Sequence, residues 1–313
     1  MKHSNKLLIF LLASLLLLVS ACGNKKEEVE QEKEEPVKTT FTYTADNGMV
    51  EVPKDPKKIV VLEASYVGYL LQLGIQPVAV QKLALDNPYF KDMLTDTEEV
   101  TSDALEQIMI LEPDLIITGT TDENIPALQD IAPTVAFEWG KRDYLEKMTA
   151  LGEVVSRKTE AAAWLSKWEE KVSINKEKVQ EAVGDKTISI MESSSNGVYV
   201  FGDNFGRGGE IIYDALELKA PQKVQEDVIN KNGFAEVPLE SIPGYAGDYI
   251  YFRSGAGEEA SNDRISKSTI WQSLPAVKNG DVFILDERTS YFSDPITLDK
   301  VMDKVVKDLT NKQ

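Results

Sequence analysis

One uninterrupted stretch in the middle of the chain decides the fold: RKTEAAAWLSKWEEKVSINKEKVQEAV, from Arg157 to Val183. It contains neither glycine nor proline, and its apolar residues recur at the spacing of one helix face. These residues are Trp164, Leu165, Trp168, Val172, Val179 and Val183. A helix of this length is about 40 Å long, more than a single α/β lobe requires. We therefore expect a helix that bridges two lobes rather than a surface helix of one domain.

Short apolar runs rich in β-branched residues lie on both sides of this helix, and turn residues bound each run. Those before it are KIVVLE (58–63), PVAV (77–80), DLIITG (114–119) and PTVAFE (133–138). Those after it are KTISIME (186–192), VYVFG (198–202), DYIYFR (248–253) and DVFILD (281–286). Strands that alternate with helical segments indicate parallel βαβ units.

The pattern predicts an α/β protein of two lobes. We expect the N-terminal lobe over residues 41–156, the bridging helix over 157–183 and the C-terminal lobe over 184–313. Two α/β lobes joined by one helix place a binding cleft between them, at the carboxyl ends of their strands.

The N-terminus has the features of a secretory signal. Lys2 and Lys6 precede an apolar run from Leu7 to Val19, which is shorter than the roughly 20 residues a bilayer-spanning helix needs. The following Ser20-Ala21-Cys22 completes a sequence that resembles a bacterial lipobox. We therefore predict a lipoprotein signal peptide over 1–21, lipidation at Cys22, and anchoring to the cell membrane on its extracytoplasmic face.

Residues 22–40 are predicted to be a disordered tether. The segment GNKKEEVEQEKEEPVKTT (23–40) is charged and almost free of apolar side chains. Such a segment cannot bury enough surface to offset the entropy of ordering. The folded part should therefore begin near Phe41.

The composition excludes several classes of function. Without Lys2 and Lys6 the mature chain has 32 basic and 52 acidic residues, so nucleic acid is not an expected partner. His3 is the only histidine and Cys22 the only cysteine, so the mature chain lacks the usual serine–histidine and cysteine–histidine catalytic pairs. For the same reason a dedicated zinc site is not expected. We predict a non-enzyme with no catalytic residues, no bound metal of its own and no cofactor.

A glycine-rich stretch, YVFGDNFGRGGEIIY (199–213), raises the possibility of a phosphate-binding loop. It lacks the Lys-Ser/Thr pair of a Walker A motif, and Ile211 stands where a dinucleotide fingerprint needs its third glycine. The glycines account for a strand-to-helix turn. They do not explain why Tyr199, Phe205 and Arg207 cluster there.

Several motifs in the same order resemble the iron-hydroxamate siderophore-binding lipoproteins of Gram-positive ABC importers. They are PKDPKKIVVL, EPDLIITG, YVFGDNFGRGGEIIY, YAGDYIYF, STIWQSLPAVKNGDVFILD and YFSDPITLD. The resemblance covers essentially all of Phe41 to Leu309. It implies a class III solute-binding protein fold, with two Rossmann-like lobes joined by one long helix, and delivery of the ligand to an ABC permease.

The resemblance also implies ligand contacts on both lobes. They are Arg207, Phe205, Tyr199 and Tyr291 on the second lobe, and Trp139 and Tyr66 on the first. The family usually has tryptophan where this chain has Phe205, which leaves the ligand preference less defined. Tyr69 is expected in the core and Arg253 on the surface.

Two acidic residues are assigned to permease docking by the same resemblance. Glu106 begins a helix in SDALEQI, and Glu240 lies in VPLESIPGYAGDY. In the family, one glutamate on each lobe meets arginines of the permease. The alternative is that both are solvated surface acids at helix starts.

The implied ligand is a ferric hydroxamate siderophore, in which three hydroxamate anions neutralise Fe³⁺. Arg207 suits it because a guanidinium donates to such oxygens in a fixed fork. Iron is then cargo inside the chelate, and the protein is expected to be a monomer. Catecholate or citrate-type siderophores and haem are the alternatives in the same fold. A secreted hydrolase and a surface adhesin are the alternatives from other classes.

Overall fold

The computed structural model of the protein describes residues 39–253, 259–286 and 288–311. The predicted signal peptide, Cys22 and the predicted tether up to residue 38 lie outside these residues and stay predictions. Among the helices described, none combines the length and the apolar character that a bilayer crossing requires.

The described chain begins with a β-hairpin that the sequence pattern did not reveal. Strands β1 (Thr40–Ala45) and β2 (Gly48–Pro53) pair antiparallel and are joined by Asp46 and Asn47. Thr40, the last residue of the predicted tether, pairs with Pro53. The fold therefore begins slightly before the predicted boundary at Phe41.

Five parallel strands form the sheet of the first lobe. They are β3 (Ile59–Val61), β4 (Ala79–Val80), β5 (Glu98–Glu99), β6 (Leu115–Gly119) and β7 (Thr134–Phe137). Their order in the sheet is β5–β4–β3–β6–β7. All of β3 and β7 is buried, as expected for parallel strands covered on both faces.

Short helices connect these strands and cover the sheet. They are α1 (Val67–Gln72), α2 (Lys82–Leu85), α3 (Leu105–Ile110), α4 (Ile125–Gln129) and α5 (Tyr144–Val154). A capping box fixes the start of α5, because Asp143 accepts from the backbone of Glu146 while the Glu146 side chain accepts from the backbone of Asp143.

The turn of the hairpin docks against the free edge of β7. Asn47 Nδ2 donates to the Thr134 carbonyl at 2.9 Å, and its Oδ1 accepts from the Ala136 amide at 3.0 Å. The neighbouring Asp46 accepts from the Arg142 guanidinium and from Lys141 Nζ at 2.6 Å. These contacts anchor the loop after β7, which carries Trp139.

The predicted bridging helix is present as α6 (Lys158–Val183), within one residue of the predicted bounds. Trp164 packs against the apolar cores of both lobes, and its ring stacks on Trp168 with centroids 5.4 Å apart. Trp168 Nε1 donates to the Tyr144 hydroxyl at 3.1 Å. The predicted α/β fold with two lobes and one long connecting helix is confirmed.

The sheet of the second lobe is mixed rather than parallel. Its strands are β8 (Ile188–Ser193), β9 (Gly197–Phe201), β10 (Phe234–Pro238), β11 (Tyr249–Arg253) and β12 (Val282–Leu285), in the order β10–β9–β8–β11–β12. The pairs β8–β9 and β9–β10 are antiparallel. The short link between β8 and β9 explains the first of these, because a parallel crossover needs a dozen or more residues.

Helical segments again connect the strands. They are a π-helix (Glu210–Ala215), α7 (Gln222–Val224) with a π-helical continuation (Gln225–Ile229), a 3-10 helix (Leu239–Gly244), α8 (Glu259–Lys267), α9 (Thr269–Ser273), α10 (Pro275–Lys278) and α11 (Pro295–Thr310). Ser268 caps α9 by accepting from the Trp271 amide.

The start of α11 makes a second connection between the lobes. Phe292 and Ile296 pack in the core of the first lobe, whereas Val301 and Val305 pack in that of the second. The contact with α1 is so close that a Cβ on Gly68 would lie 2.0 Å from the carboxylate of Asp294. Residues 291–296 therefore belong to both lobes, although the predicted boundary assigned them to the second alone.

Asp294, which caps α11, predicts a distinctive pH dependence of stability. It is fully buried, and burial raises the pKa of its carboxyl to about 6. Because the folded protein binds this proton more tightly than the unfolded chain, the group favours folding most below about pH 4. Its contribution falls by about 2–3 kcal/mol as the pH rises from about 4 to above 6.

Asp294→Asn should remove that dependence, because asparagine keeps a capping oxygen but has no proton to lose. Urea unfolding of both proteins between pH 4 and 8 measures the difference, with the exposed Asp130→Asn as the matched control. Parallel pH profiles for wild type and Asp294→Asn would contradict the assignment.

Candidate functional site

A cleft of 610 Å³ lies between the two lobes, at the carboxyl ends of their central strands. The lining residues are Glu63, Ala64, Ser65, Tyr69, Gln81, Leu83, Trp139, Lys147, Glu192, Tyr199, Phe201, Phe205, Gly206, Arg207, Phe234, Tyr291, Phe292 and Ser293. This volume is in the range that holds small-molecule ligands. Aromatic side chains from both lobes dominate the walls.

The glycine-rich loop after β9 has an unusual backbone. Gly206, Arg207 and Gly208 all have positive φ, at 69°, 55° and 85°. Glycine adopts this region freely, but arginine does so only when its surroundings hold it there. The Arg207 amide donates to the Ser290 carbonyl at 2.6 Å. The Gly206 amide donates to buried Glu210 at 2.9 Å.

The guanidinium of Arg207 is held in place on the floor of the cleft. It lies over the ring of Phe201 at 4.4 Å and over that of Tyr291 at 4.5 Å. Its Nε donates to Glu192 at 3.2 Å, and its Nη1 donates to the Phe205 carbonyl at 2.7 Å. Within the described part of the chain, Nη2 has no partner, so it can donate to a ligand.

Arg253 is not the surface residue that the sequence suggested. It is 3% exposed, and its Nη1 donates to the same Glu192 oxygen that Arg207 uses. The reason is the parallel pairing of β8 and β11, which places Arg253 directly beside Glu192. Its guanidinium also lies 5.6 Å from the ring of Tyr291. Glu192 thus positions two arginines beneath the cleft.

Aromatic rings from the two lobes meet at the cleft mouth. Trp139 of the first lobe makes an edge contact with Phe205 of the second, with centroids 5.5 Å apart. Phe234 contacts Phe205 at 5.0 Å. Trp139 and Phe234 are 56% and 42% exposed, so both still offer surface to a ligand.

Phe234 and Lys147 also line the site, and the sequence reasoning missed both. Phe234 follows Asn232-Gly233, a turn signal that marks the start of a strand near the cleft. Lys147 lies in α5, with Nζ 5.4 Å from the ring of Trp139. Burial lowers the pKa of Lys147. No local sequence signal separates it from other helix lysines.

The expected contact at Tyr66 is wrong. Tyr66 is 4% exposed and packs edge-on against Phe137 at 5.5 Å in the core of the first lobe. It ends a 3-10 turn (Ala64–Tyr66), which turns Ser65 toward the cleft and Tyr66 away from it. Tyr69 is buried as expected, but it also borders the cleft, where its hydroxyl donates to the Ser293 carbonyl at 2.8 Å.

The other five residues predicted to contact a ligand lie together at the cleft, and their contact with a ligand stays a prediction. Tyr199, Phe205, Arg207, Trp139 and Tyr291 all line the cleft, and Tyr291 is 40% exposed. Glu106 and Glu240 do not line it. They lie in the first turns of α3 and of the 3-10 helix Leu239–Gly244, and both are exposed. Their role in docking stays a prediction.

The charges that line the cleft balance. Of the described lining residues, Lys147 and Arg207 are cationic, and Glu63 and Glu192 are anionic. Glu63 accepts from the amide and the hydroxyl of Ser65 at 3.2 and 3.0 Å. The cleft therefore suits a ligand that has many hydrogen-bond acceptors and little net charge.

The chain is similar in sequence to known ligand-binding proteins. A model of the periplasmic binding protein family matches residues 59–289, which includes most of both lobes. The chain is 39% identical to the iron(3+)-hydroxamate-binding protein FhuD of Bacillus subtilis, over 99% of this chain and 100% of that protein.

Two solved structures are also similar over both lobes. One is a periplasmic binding protein component of a Fep/Fec-like ferrichrome ABC transporter from Bacillus subtilis, at 40% identity and a TM-score of 0.80 over 86% of this chain and 100% of that chain. The other is FhuD2 from Staphylococcus aureus with bound ferrioxamine B, at 34% identity and a TM-score of 0.76 over 82% of this chain and 98% of that chain.

The geometry of the loop predicts that Gly206 tolerates no side chain. A Cβ there would lie 2.2 Å from the Tyr291 carbonyl oxygen, whereas Gly140, with a similar φ of 76°, has open space around it. Gly140→Ala should lower the free energy of unfolding by about 1–2 kcal/mol, for backbone strain alone. Gly206→Ala should lower the free energy of unfolding by about 2 kcal/mol or more beyond the loss in Gly140→Ala, because the loop must also move to make room for the methyl group.

Urea unfolding of the two variants beside wild type measures both effects. Equal destabilisation by the two substitutions would show that the loop is not packed against the Ser290–Tyr291 segment as described.

Proposed function

The chain belongs to the periplasmic binding protein family, and we propose that it captures ferric hydroxamate siderophores in the interlobe cleft and delivers them to an ABC permease. As a member of this family it is a substrate-binding component of transport and not an enzyme. The similarity to FhuD of Bacillus subtilis and to FhuD2 supports hydroxamates as the ligand class.

The balance of charges in the cleft is the observation that carries the choice of ligand. A ferric trihydroxamate is neutral at its metal centre, so it can enter a cleft with no excess of cations. A ferric tris-catecholate carries about three negative charges, and burying them without matching cations is strongly unfavourable. Among the described lining residues the two cations, Lys147 and Arg207, do not outnumber the two anions, Glu63 and Glu192.

Arg207 supplies the polar recognition. Its side chain is fixed by two aromatic rings and by Glu192, so donating to a ligand requires little further ordering. The hydroxamate oxygens accept hydrogen bonds while they hold the iron. The guanidinium can therefore bind the chelate without replacing any ligand of the metal, and the iron is cargo rather than a cofactor.

The aromatic walls supply most of the contact area. Trp139, Phe205 and Phe234 form a continuous apolar surface at the mouth, and Tyr199 and Tyr291 extend it inward. Such rings pack the aliphatic linkers of a siderophore, and the tyrosine hydroxyls add donors. Phe205 is smaller than tryptophan, and Phe234 adds ring surface beside it.

The lipobox-like sequence at Cys22 and the family resemblance support a location and partners for the protein. We propose that Cys22 is lipidated and holds the monomeric protein on the extracytoplasmic face of the membrane, with the tether after it. Glu106 and Glu240 are proposed to meet arginines of the permease. The exposure of both carboxylates supports this role.

Tryptophan fluorescence tests the ligand class directly, because exposed Trp139 lies at the cleft mouth. A neutral ferric trihydroxamate should quench the emission at micromolar concentration or below, while a ferric tris-catecholate and a ferric citrate complex should not. Haemin is tested as an alternative ligand by recording the absorption spectrum of its mixture with the protein. Quenching by the catecholate but not by the hydroxamate would overturn the proposal.

Arg207→Ala should weaken ferric hydroxamate binding by more than about tenfold, since it removes a charge-assisted hydrogen bond worth about 1.5–3 kcal/mol. Exposed Arg288, on the loop after β12, provides the matched control as Arg288→Ala. Titration of both variants, after their folding is checked by circular dichroism, gives the comparison. An unchanged affinity in Arg207→Ala would remove Arg207 from the site.

A further inference from the structure

A second compartment of 340 Å³ lies next to the cleft. It is bounded by the start of α5 on the first lobe, and by the glycine-rich loop and the π-helix Glu210–Ala215 on the second. Trp139, Lys147 and Ser293 line both spaces. A ligand seated in the cleft is therefore directly adjacent to this side compartment.

Carboxylates converge on the side compartment from both lobes. Asp143 comes from the first lobe, and Asp203, Glu210 and Asp214 come from the second. Two cationic side chains also line it. The guanidinium of Arg142 is engaged by Asp46, with Nη2 3.1 Å from Oδ1.

Lys147 is the other cation of the side compartment, and its ammonium lies 5.4 Å from the ring of Trp139. With Arg142 neutralised by Asp46, Lys147 alone faces the four carboxylates. The compartment is thus more acidic than the cleft beside it, where the charges balance.

One carboxylate oxygen in this cluster, on Glu210, lacks a hydrogen-bond donor. The residue is 4% exposed, and its Oε1 accepts from the Gly206 amide and the Ser293 hydroxyl. Its Oε2 is buried and has no donor among the residues that the structure describes. A buried carboxylate oxygen without a donor is unfavourable, and burial raises the pKa of Glu210, so positive charge placed beside this carboxyl is favoured.

Asp214 lies at the exposed side of the compartment, and its pKa is raised as well. Desolvation by the surrounding protein atoms, together with the neighbouring acids Asp203, Glu210 and Asp143, raises the pKa of its carboxyl to about 7. A cation placed in the side compartment would lower that pKa again.

We propose that the side compartment is a subsite for a siderophore arm that ends in an ammonium group. The proposal rests on the ferric hydroxamate function above and sharpens it. The neutral chelate occupies the cleft, and its cationic arm passes Trp139 into the acidic space. An ammonium group offers three donors, and the compartment supplies carboxylates from both lobes to accept them.

The test compares two ligands that differ in one group. One is a linear ferric trihydroxamate that ends in a primary ammonium, and the other is the same chelate with that amine acetylated. Wild type should bind the ammonium form about five- to tenfold more tightly. In the double variant Asp203→Asn and Asp214→Asn, which removes two of the four carboxylates, the ratio of the two affinities should fall to about half of the wild-type value or less. An unchanged ratio would contradict the subsite.

The matched control is Glu177→Gln with Glu181→Gln, which removes two carboxylates from the exposed face of α6 and should keep the wild-type ratio. Equal affinity of wild type for both ligands would overturn the subsite and leave the hydroxamate function standing. Failure of both ligands to bind would instead refute the hydroxamate function.

A second measurement uses wild type alone and does not depend on any variant folding. Because the ammonium arm lowers the pKa of Asp214, its binding at pH 7 should release up to about half a proton. Calorimetry in phosphate and in Tris, whose ionisation enthalpies differ, measures this release. The acetylated ligand should release none, and equal release by the two ligands would contradict the proposal.

Discussion

The site depends on the tight packing of Ser290–Asp294 against both lobes. On the second lobe, the Arg207 amide binds the Ser290 carbonyl and Gly206 lies against Tyr291 with no room for a side chain. On the first lobe, the Tyr69 hydroxyl binds the Ser293 carbonyl and Gly68 lies against Asp294. One short segment therefore sets the distance between the lobes and the position of Arg207. Together with α6, it makes the cleft a largely preformed site.

A preformed site of this kind explains how an uncharged chelate can be recognised. The energetically demanding feature, an arginine in a left-handed backbone conformation, is already in place before the ligand arrives. Glu192 holds both Arg207 and Arg253, so the floor of the cleft presents donors without a large excess of positive charge. The remaining affinity comes from packing of the aromatic side chains against the siderophore. This packing depends little on which aliphatic linker the siderophore has. We expect selectivity among hydroxamates to depend on groups beside the chelate, and the side compartment, with its excess of carboxylates, lies there.

Much of this architecture could be predicted from the sequence, because it rests on local patterns. The gapless helical period of α6 and the apolar runs around it predict two α/β lobes, and the glycine-rich loop predicts a turn facing the cleft. Other features depend on pairing that no local pattern encodes. Arg253 is buried because β11 pairs in register with β8, and Tyr66 faces the core because a 3-10 turn rotates it away from the cleft. The side compartment brings Asp143 of the first lobe beside the carboxylates of residues 203–214 in the second, so only the folded chain reveals it.

The most direct measurement of the central claim is a crystal structure of the protein with a ferric trihydroxamate, with the iron located by its anomalous scattering. The account predicts iron in the interlobe cleft, with all its oxygen ligands supplied by the chelate and the Arg207 guanidinium within hydrogen-bond distance of hydroxamate oxygens. Iron bound directly by Tyr291 or by a carboxylate of the protein would contradict it, as would a chelate bound outside the cleft.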